Sequence, residues 1–235
     1  CCWKIRDALP QSISIDNLID THRGNKHIEL CGKLGIARAI LEAERKSKLY
    51  FDVAHDRSPK LTYVKDTWLT SFMQILTEGC PLSDLEERLA SLAFVVFNYD
   101  RVLEQFLYYS FQNVYHIDQV RAAELVRSMT ILRPYGSVGG LPSIGLKTAF
   151  PFGHEPSGDE LRGLAQGIKT FTEGVDPATS DIAAIRHAVV STEKLVFLGF
   201  AFHPTNLDLL FPSSRQSLSE AHVCNWQGIA GARTG

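Results

Sequence analysis

Three short apolar runs, residues 92–97, 129–132 and 195–200, interrupt a chain whose other ordered stretches follow a helical period. None of the three alternates apolar with polar positions. That is the pattern of strands buried on both faces, as in a parallel sheet covered by helices. The first 90 residues read as mainly helical. Ser14 or Asp16 caps a short helix through Leu18 and Ile19. A second helix runs over about 26–45, with Leu30, Leu34, Ala37 and Leu41 on one face. Gly32 and Gly35 each cost about 1 kcal/mol there relative to Ala, which close approach of another helix would offset. Glu42, Glu44, Arg45, Lys46 and Lys48 read as its solvated end. Further helices are expected over 64–76 and 83–91, punctuated by Gly79 and Pro81.

Beyond the first run, helices are expected over 101–111, with Val102, Leu103, Phe106 and Leu107 as the buried stripe, and over 118–127. Gly136, Gly139, Gly140, Pro142 and Gly145 mark a long loop. Residues 154–181, rich in Gly, Ser and Asp, read as a surface excursion with one helix near 159–168. A helix over 182–190 and a last strand around Val223 complete the prediction. With no linker and no internal repeat, the expectation is one α/β domain over 1–235: a Rossmann-like, mostly parallel sheet flanked by helices. Its helical part is 1–90, and 91–235 hold the pocket strands and loops.

Charge and composition narrow the function classes. A formal net charge of -2 gives no general pull toward nucleic acid or anionic lipid. The apolar runs are far too short to span a bilayer. Five cysteines, widely spaced and without Cys-x-x-Cys, point to reduced thiols in a cytoplasmic protein rather than a disulfide framework or zinc ribbon. No His-x-x-x-His occurs, so no metal is expected. The chain begins at Cys1 without a signal peptide, and a domain truncated at its N-terminus is expected.

Each apolar run ends in polar or glycine-bearing residues: Asn98-Tyr99-Asp100, Arg133-Pro134-Tyr135-Gly136-Ser137, and Gly199-Phe200-Ala201-Phe202-His203. Ligands of open α/β sheets sit outside the carboxyl ends of the strands, so parallel strands would bring these clusters to one crevice. The plainer roles are structural. Asp100 would cap the following helix, and Tyr135 would be an ordinary buried tyrosine. His203 would be a loop histidine. Asn206 and Asp208 would cap a helix over 207–211. Phe200 and Phe202 would be core, and Glu104 a solvated or paired carboxylate.

The same segments resemble the SIR2-like domain family of bacterial NAD-consuming, phage-defence proteins. They are Phe97-Asn98-Tyr99-Asp100-Arg101, Tyr135-Gly136-Ser137 and Phe197 to His203, with Ser14-Ile15-Asp16-Asn17 and the helix around 35–44 in support. The resemblance implies a pocket that binds NAD or ADP-ribose and hydrolyses the nicotinamide–ribose bond. Asn98 falls at the family's catalytic asparagine, orienting ribose hydroxyls or water. Asp100 would bind a hydroxyl. Gly136, Ser137, Gly199, Phe200 and Asn206 would line the ligand. The chain departs from the family twice. It has no opening strand with a Gly-Ala-Gly loop, and Tyr135 stands at the place of the catalytic histidine. With a reference pKa of about 10, a tyrosine is a poor base near neutrality, which leaves His203 or His154 as the replacement. Three functions follow: an NAD hydrolase, a nucleotide sensor without turnover, and an oligomerisation module of a larger defence protein.

Overall fold

The structure is a computed structural model that describes residues 2–145, 149–176 and 180–212, and the strand expected around Val223 lies outside them. In chain order come α1 (Cys2–Ala8), α2 (Ile15–Thr21), α3 (Lys26–Lys46), α4 (Trp68–Thr77), α5 (Leu82–Ala90) and β1 (Ala93–Val95). Then follow α6 (Val102–Tyr115), α7 (Gln119–Ser128), β2 (Thr130–Leu132), α8 (Gly158–Ala165), α9 (Phe171–Val175), α10 (Ile182–Ser191) and α11 (Pro204–Leu210). The described chain is thus mostly helical, with a small two-stranded parallel sheet in which Ala93, Phe94 and Val95 pair with Thr130, Ile131 and Leu132. No helix of the described residues is long and apolar enough to cross a membrane.

Local chemistry sets the helix ends. Of the two candidate caps for α2, Ser14 is the one used, its hydroxyl accepting from the Asn17 N–H. Asp118 caps α7 by accepting from the Arg121 N–H at 2.8 Å. Ser157 and Glu160 form a reciprocal capping box at the start of α8.

The sheet is covered on both faces. Successive side chains of a strand point to opposite sides. Phe94 and Ile131 pack into the largest cluster, with Leu85, Leu89, Phe106, Leu107, Phe111 and Leu125 of α5–α7. Val95 and Leu132, one residue on, pack against Ile182, Ile185 and Val189 of α10 and Leu209 and Leu210 of α11. A third cluster joins Ile19 of α2 and Ile36, Ala37 and Leu41 of α3 to Val138, Leu164 and Ile168.

Several expectations are corrected. The run over 195–200 is not a strand: it has no ladder partner among the described residues. Gly199 at φ +61° and Phe202 at φ +52° turn the chain out of extended geometry, so Leu195 and Phe197 pack on the sheet as side chains only. The segment from residue 154 is more than a surface excursion: its expected helix is α8, and Leu164 and Ile168 are buried in the cluster with α3. The buried face of α3 is Ile28, Gly32, Lys33, Ile36, Ala37, Leu41 and Glu44, while Leu30 is 39% exposed. That face is set by α2 and α8, which pack on it. Of the two glycines of α3, Gly32 is the one that meets a neighbour closely, since a Cβ there would lie 2.5 Å from Ile19 Cδ1.

Glu44, read as part of a solvated end, is 1% exposed and pairs with Arg101, also 1% exposed. Arg101 Nη2 lies 2.6 Å from Glu44 Oε2 and Nε 3.0 Å from Oε1. The Arg101 and Gly153 backbone N–H groups donate to the same carboxylate. Arg101 also donates to the carbonyls of Gly140, Phe150 and Pro151. A buried charge is tolerable only when paired and fully hydrogen-bonded, and here every lone pair and N–H has a use.

Candidate functional site

The carboxyl ends of β1 and β2 lie side by side because the strands are parallel and in register. Beyond β1 the chain turns through Asn98, Tyr99 and Asp100 into α6. Asp100 Oδ1 accepts from the Val102 N–H at 3.1 Å, so this carboxylate closes a turn, whereas the N-cap of α6 is Arg101 and not Asp100 as its plainer reading has it. Arg133, just past β2, fixes the neighbouring position from the other strand. Its Nη1 donates to the Asn98 carbonyl at 2.7 Å, while its Nη2 binds both oxygens of Glu104 on α6. Glu104 is therefore a paired carboxylate. The Asn98 side chain is exposed and makes no hydrogen bond among the described residues.

Tyr135, Phe200 and Asn206 are brought together from three segments. The Tyr135 hydroxyl donates to Asn206 Oδ1 at 2.8 Å. The Phe97 ring lies 5.9 Å from that of Tyr135 and 5.2 Å from that of Phe200. Asn206 is thus inside α11 and bound to a phenol rather than capping a helix. The cap of α11 is His203, whose Nδ1 accepts from the Thr205 N–H at 3.3 Å. His203 is exposed and in this orientation holds a helix end. His154 stacks on Phe150 and reaches Glu160, within residues that adjoin α3 and α8.

Gly136 and Ser137 are held by backbone contacts inside the protein. Gly136 has φ +76°, and a Cβ there would run into the Gly167 carbonyl. The Ser137 N–H donates to that carbonyl at 3.2 Å, and the Gly136 N–H to Arg133 O at 3.1 Å. Both N–H groups are consumed within the protein. By contrast, the N–H groups of Gly199 and Phe200 donate to nothing among the described residues. A Cβ on Gly199 would meet no atom within 4 Å. Open, unused backbone therefore sits at the Gly199–Phe200 turn, joined to Asn98 through the Phe97–Phe200 ring contact.

Sequence reasoning gave Asp16 only a capping role. The Tyr99 hydroxyl donates to Asp16 Oδ1 at 3.1 Å and also lies 3.1 Å from the Lys169 carbonyl. Burial pushes the Asp16 carboxyl above its usual range, against the lowering effect of the Tyr99 hydrogen bond. Burial, with Asp16 nearby, raises the pKa of both Tyr99 and Tyr135, so both phenols are protonated and neither is a base. Tyr135 is further boxed in by Gly174, where a Cβ would meet its Cδ1 at 2.7 Å. The signal that could have found these groups was the Ser14–Asn17 likeness and the glycines of 154–181.

Asp16 has a consequence for stability. A carboxyl whose folded pKa is raised binds its proton more tightly when folded, so stability is greatest below the unfolded value of 3.8 and falls as pH rises through the folded one. Asp16→Asn keeps an acceptor for Tyr99 and removes the charge. Its urea midpoint should gain on the parent's as pH goes from about 4 to about 7. A constant difference across that range would show that the Asp16 pKa is not raised on folding.

A separate cavity of about 350 Å³ opens between the C-terminal end of α3, α6 and the segments around 50–53, 141–143 and 151–155. None of the nine strand-end residues named from the sequence lines it, but His154, the alternative base, does. Among the described residues, no group of three or more His, Cys, Asp or Glu side chains is placed to hold a metal ion. Comparison with protein-family models, curated proteins and solved structures finds no match.

Proposed function

We propose that the chain is a SIR2-like nucleotide-binding domain that holds NAD or ADP-ribose at the carboxyl ends of β1 and β2 without hydrolysing it. On this reading β1–α6–α7–β2 is a parallel unit of a Rossmann-like sheet. The observation that carries it is the open Gly199–Phe200 backbone beside an exposed Asn98, at the strand ends where α/β folds take their ligands. Gly199 lets the backbone come close to a ligand, and Asn98 supplies an amide for a ribose hydroxyl. Among the described residues at the strand ends, neither candidate base is placed for turnover. Tyr135, in the histidine place, is protonated and tied to Asn206, and His203 is committed to a helix end.

Ligand binding to the folded state alone stabilises it by mass action. ADP-ribose at about a hundred times its Kd should raise stability by about 2.7 kcal/mol. For a chain of this size that is a melting shift of roughly 5–10 °C. NAD should do the same with no nicotinamide formed. No shift from either ligand, with a folded chain, refutes the reading and leaves the oligomerisation module. The exposed, unbonded Asn98 favours a second reading, hydrolysis. Nicotinamide release by the parent, lost in Asn98→Ala, would establish it in place of the first.

A further inference from the structure

The cavity beside α6 carries a polar group with no use inside the protein. Gln105 is 3% exposed, and its Nε2 makes one long bond, 3.5 Å to the Leu49 carbonyl. No group among the described residues donates to its Oε1. Every fully buried side-chain nitrogen or oxygen among them has a partner, so an unpartnered Oε1 must face open space, and Gln105 lines this cavity. One turn along α6, Tyr109 lines it too, and its hydroxyl has no partner among the described residues. Burial pushes the Tyr109 phenol up to about 12, so it stands as a donor at neutral pH. The walls are aromatic. The ring of Phe51 meets that of Tyr109 edge-on at 5.4 Å, and Phe152 and Tyr50 also line the space.

Size, shape and charge define the ligand. About 350 Å³ accommodates a molecule of nucleoside size. Aromatic walls suit a planar ring. The Gln105 amide offers a free acceptor beside a second N–H donor, the complement of a base edge carrying an amine next to a ring nitrogen, as adenine does. At the rim Arg45 is already spent on Glu155 and the Gly153 carbonyl, and Asp52 adds a second carboxylate. His154 is likewise paired with Glu160, so no unpaired cation among the described lining residues rewards a polyphosphate.

We propose that this cavity binds an uncharged adenine-type nucleoside, its base edge read by the Gln105 amide and the Tyr109 hydroxyl against the surrounding rings. The site shares no residue with the strand-end crevice, so it does not depend on the reading above. The test is calorimetric titration of the whole chain with adenosine, beside Gln105→Leu and Tyr109→Phe. The parent should bind saturably. Purine riboside, which lacks the exocyclic amine, should bind about tenfold more weakly, and each variant should lose about tenfold for adenosine. Thermal melting checks that each variant is folded, and Tyr109→Phe alone decides if Gln105→Leu is not. The proposal is overturned by a folded parent that does not bind adenosine, or by folded variants that bind it as the parent does, which would place adenosine elsewhere.

Discussion

Glu44→Ala is expected to destabilise the protein by about 3–5 kcal/mol, more than any other single truncation named here. The carboxylate it removes accepts four hydrogen bonds, three from Arg101 and one from the Gly153 N–H. What remains is a guanidinium at 1% exposure with only neutral carbonyls around it. An uncompensated buried charge is the costly outcome, and the loss is a large part of a typical total of about 5–15 kcal/mol. The pair itself need not be worth as much as its breakage. Replacing both members with Met should restore most of the loss, because two desolvated charges disappear together. Urea unfolding of the single and double variants measures both effects. A single-variant loss below about 1 kcal/mol would mean that water reaches Arg101. The consequence reaches the candidate site, since Arg101 closes the turn that presents Asn98 and ties it to α3 and the Gly140 and Gly153 loops.

Gly136→Ala should cost about 3 kcal/mol, from two separable causes. A left-handed φ of +76° costs a residue with a Cβ about 1–2 kcal/mol. The added methyl would also strike the Gly167 carbonyl, which is backbone and cannot rotate aside. Moving it strains the Ser137 N–H bond to the same oxygen and the Lys169 N–H bond to the Tyr135 carbonyl, each worth about 1 kcal/mol. Gly24 isolates the first cause: its φ is +90° and a Cβ there meets nothing within 4 Å. Gly24→Ala should therefore lose only the conformational part. Equal losses for the two variants in urea unfolding would refute the steric argument. Since this contact also seats Tyr135, Gly136→Ala should weaken ADP-ribose binding as well, if the strand ends hold it.

Much of the local structure was legible. The helix over 26–45 differs by one residue at its end from α3, and the expected strands at 92–97 and 129–132 contain β1 and β2. The cap at Ser14 follows from side-chain chemistry acting over three residues. Such signals are local, so a single sequence carries them. The parallel pairing was readable too, because runs without alternation demand cover on both faces. The failures share one cause. Leu195 to Phe200 has the composition of a strand, but a strand exists only where a ladder partner does, and here tertiary contacts use those side chains as packing alone.

By itself, then, the sequence located most of the helices and both paired strands to within a few residues, and showed that three polar clusters follow three apolar runs. Only the tertiary structure decided which face of α3 is buried, because α2 and α8 dock on it and Glu44 pairs with a residue 57 positions away. It alone paired Tyr135 with Asn206 and Tyr99 with Asp16, contacts that span 71 and 83 residues. Periodicity reports what a segment prefers over a few residues. Which groups meet at a site, and which are left with open space in front of them, depends on long-range packing that no local pattern encodes.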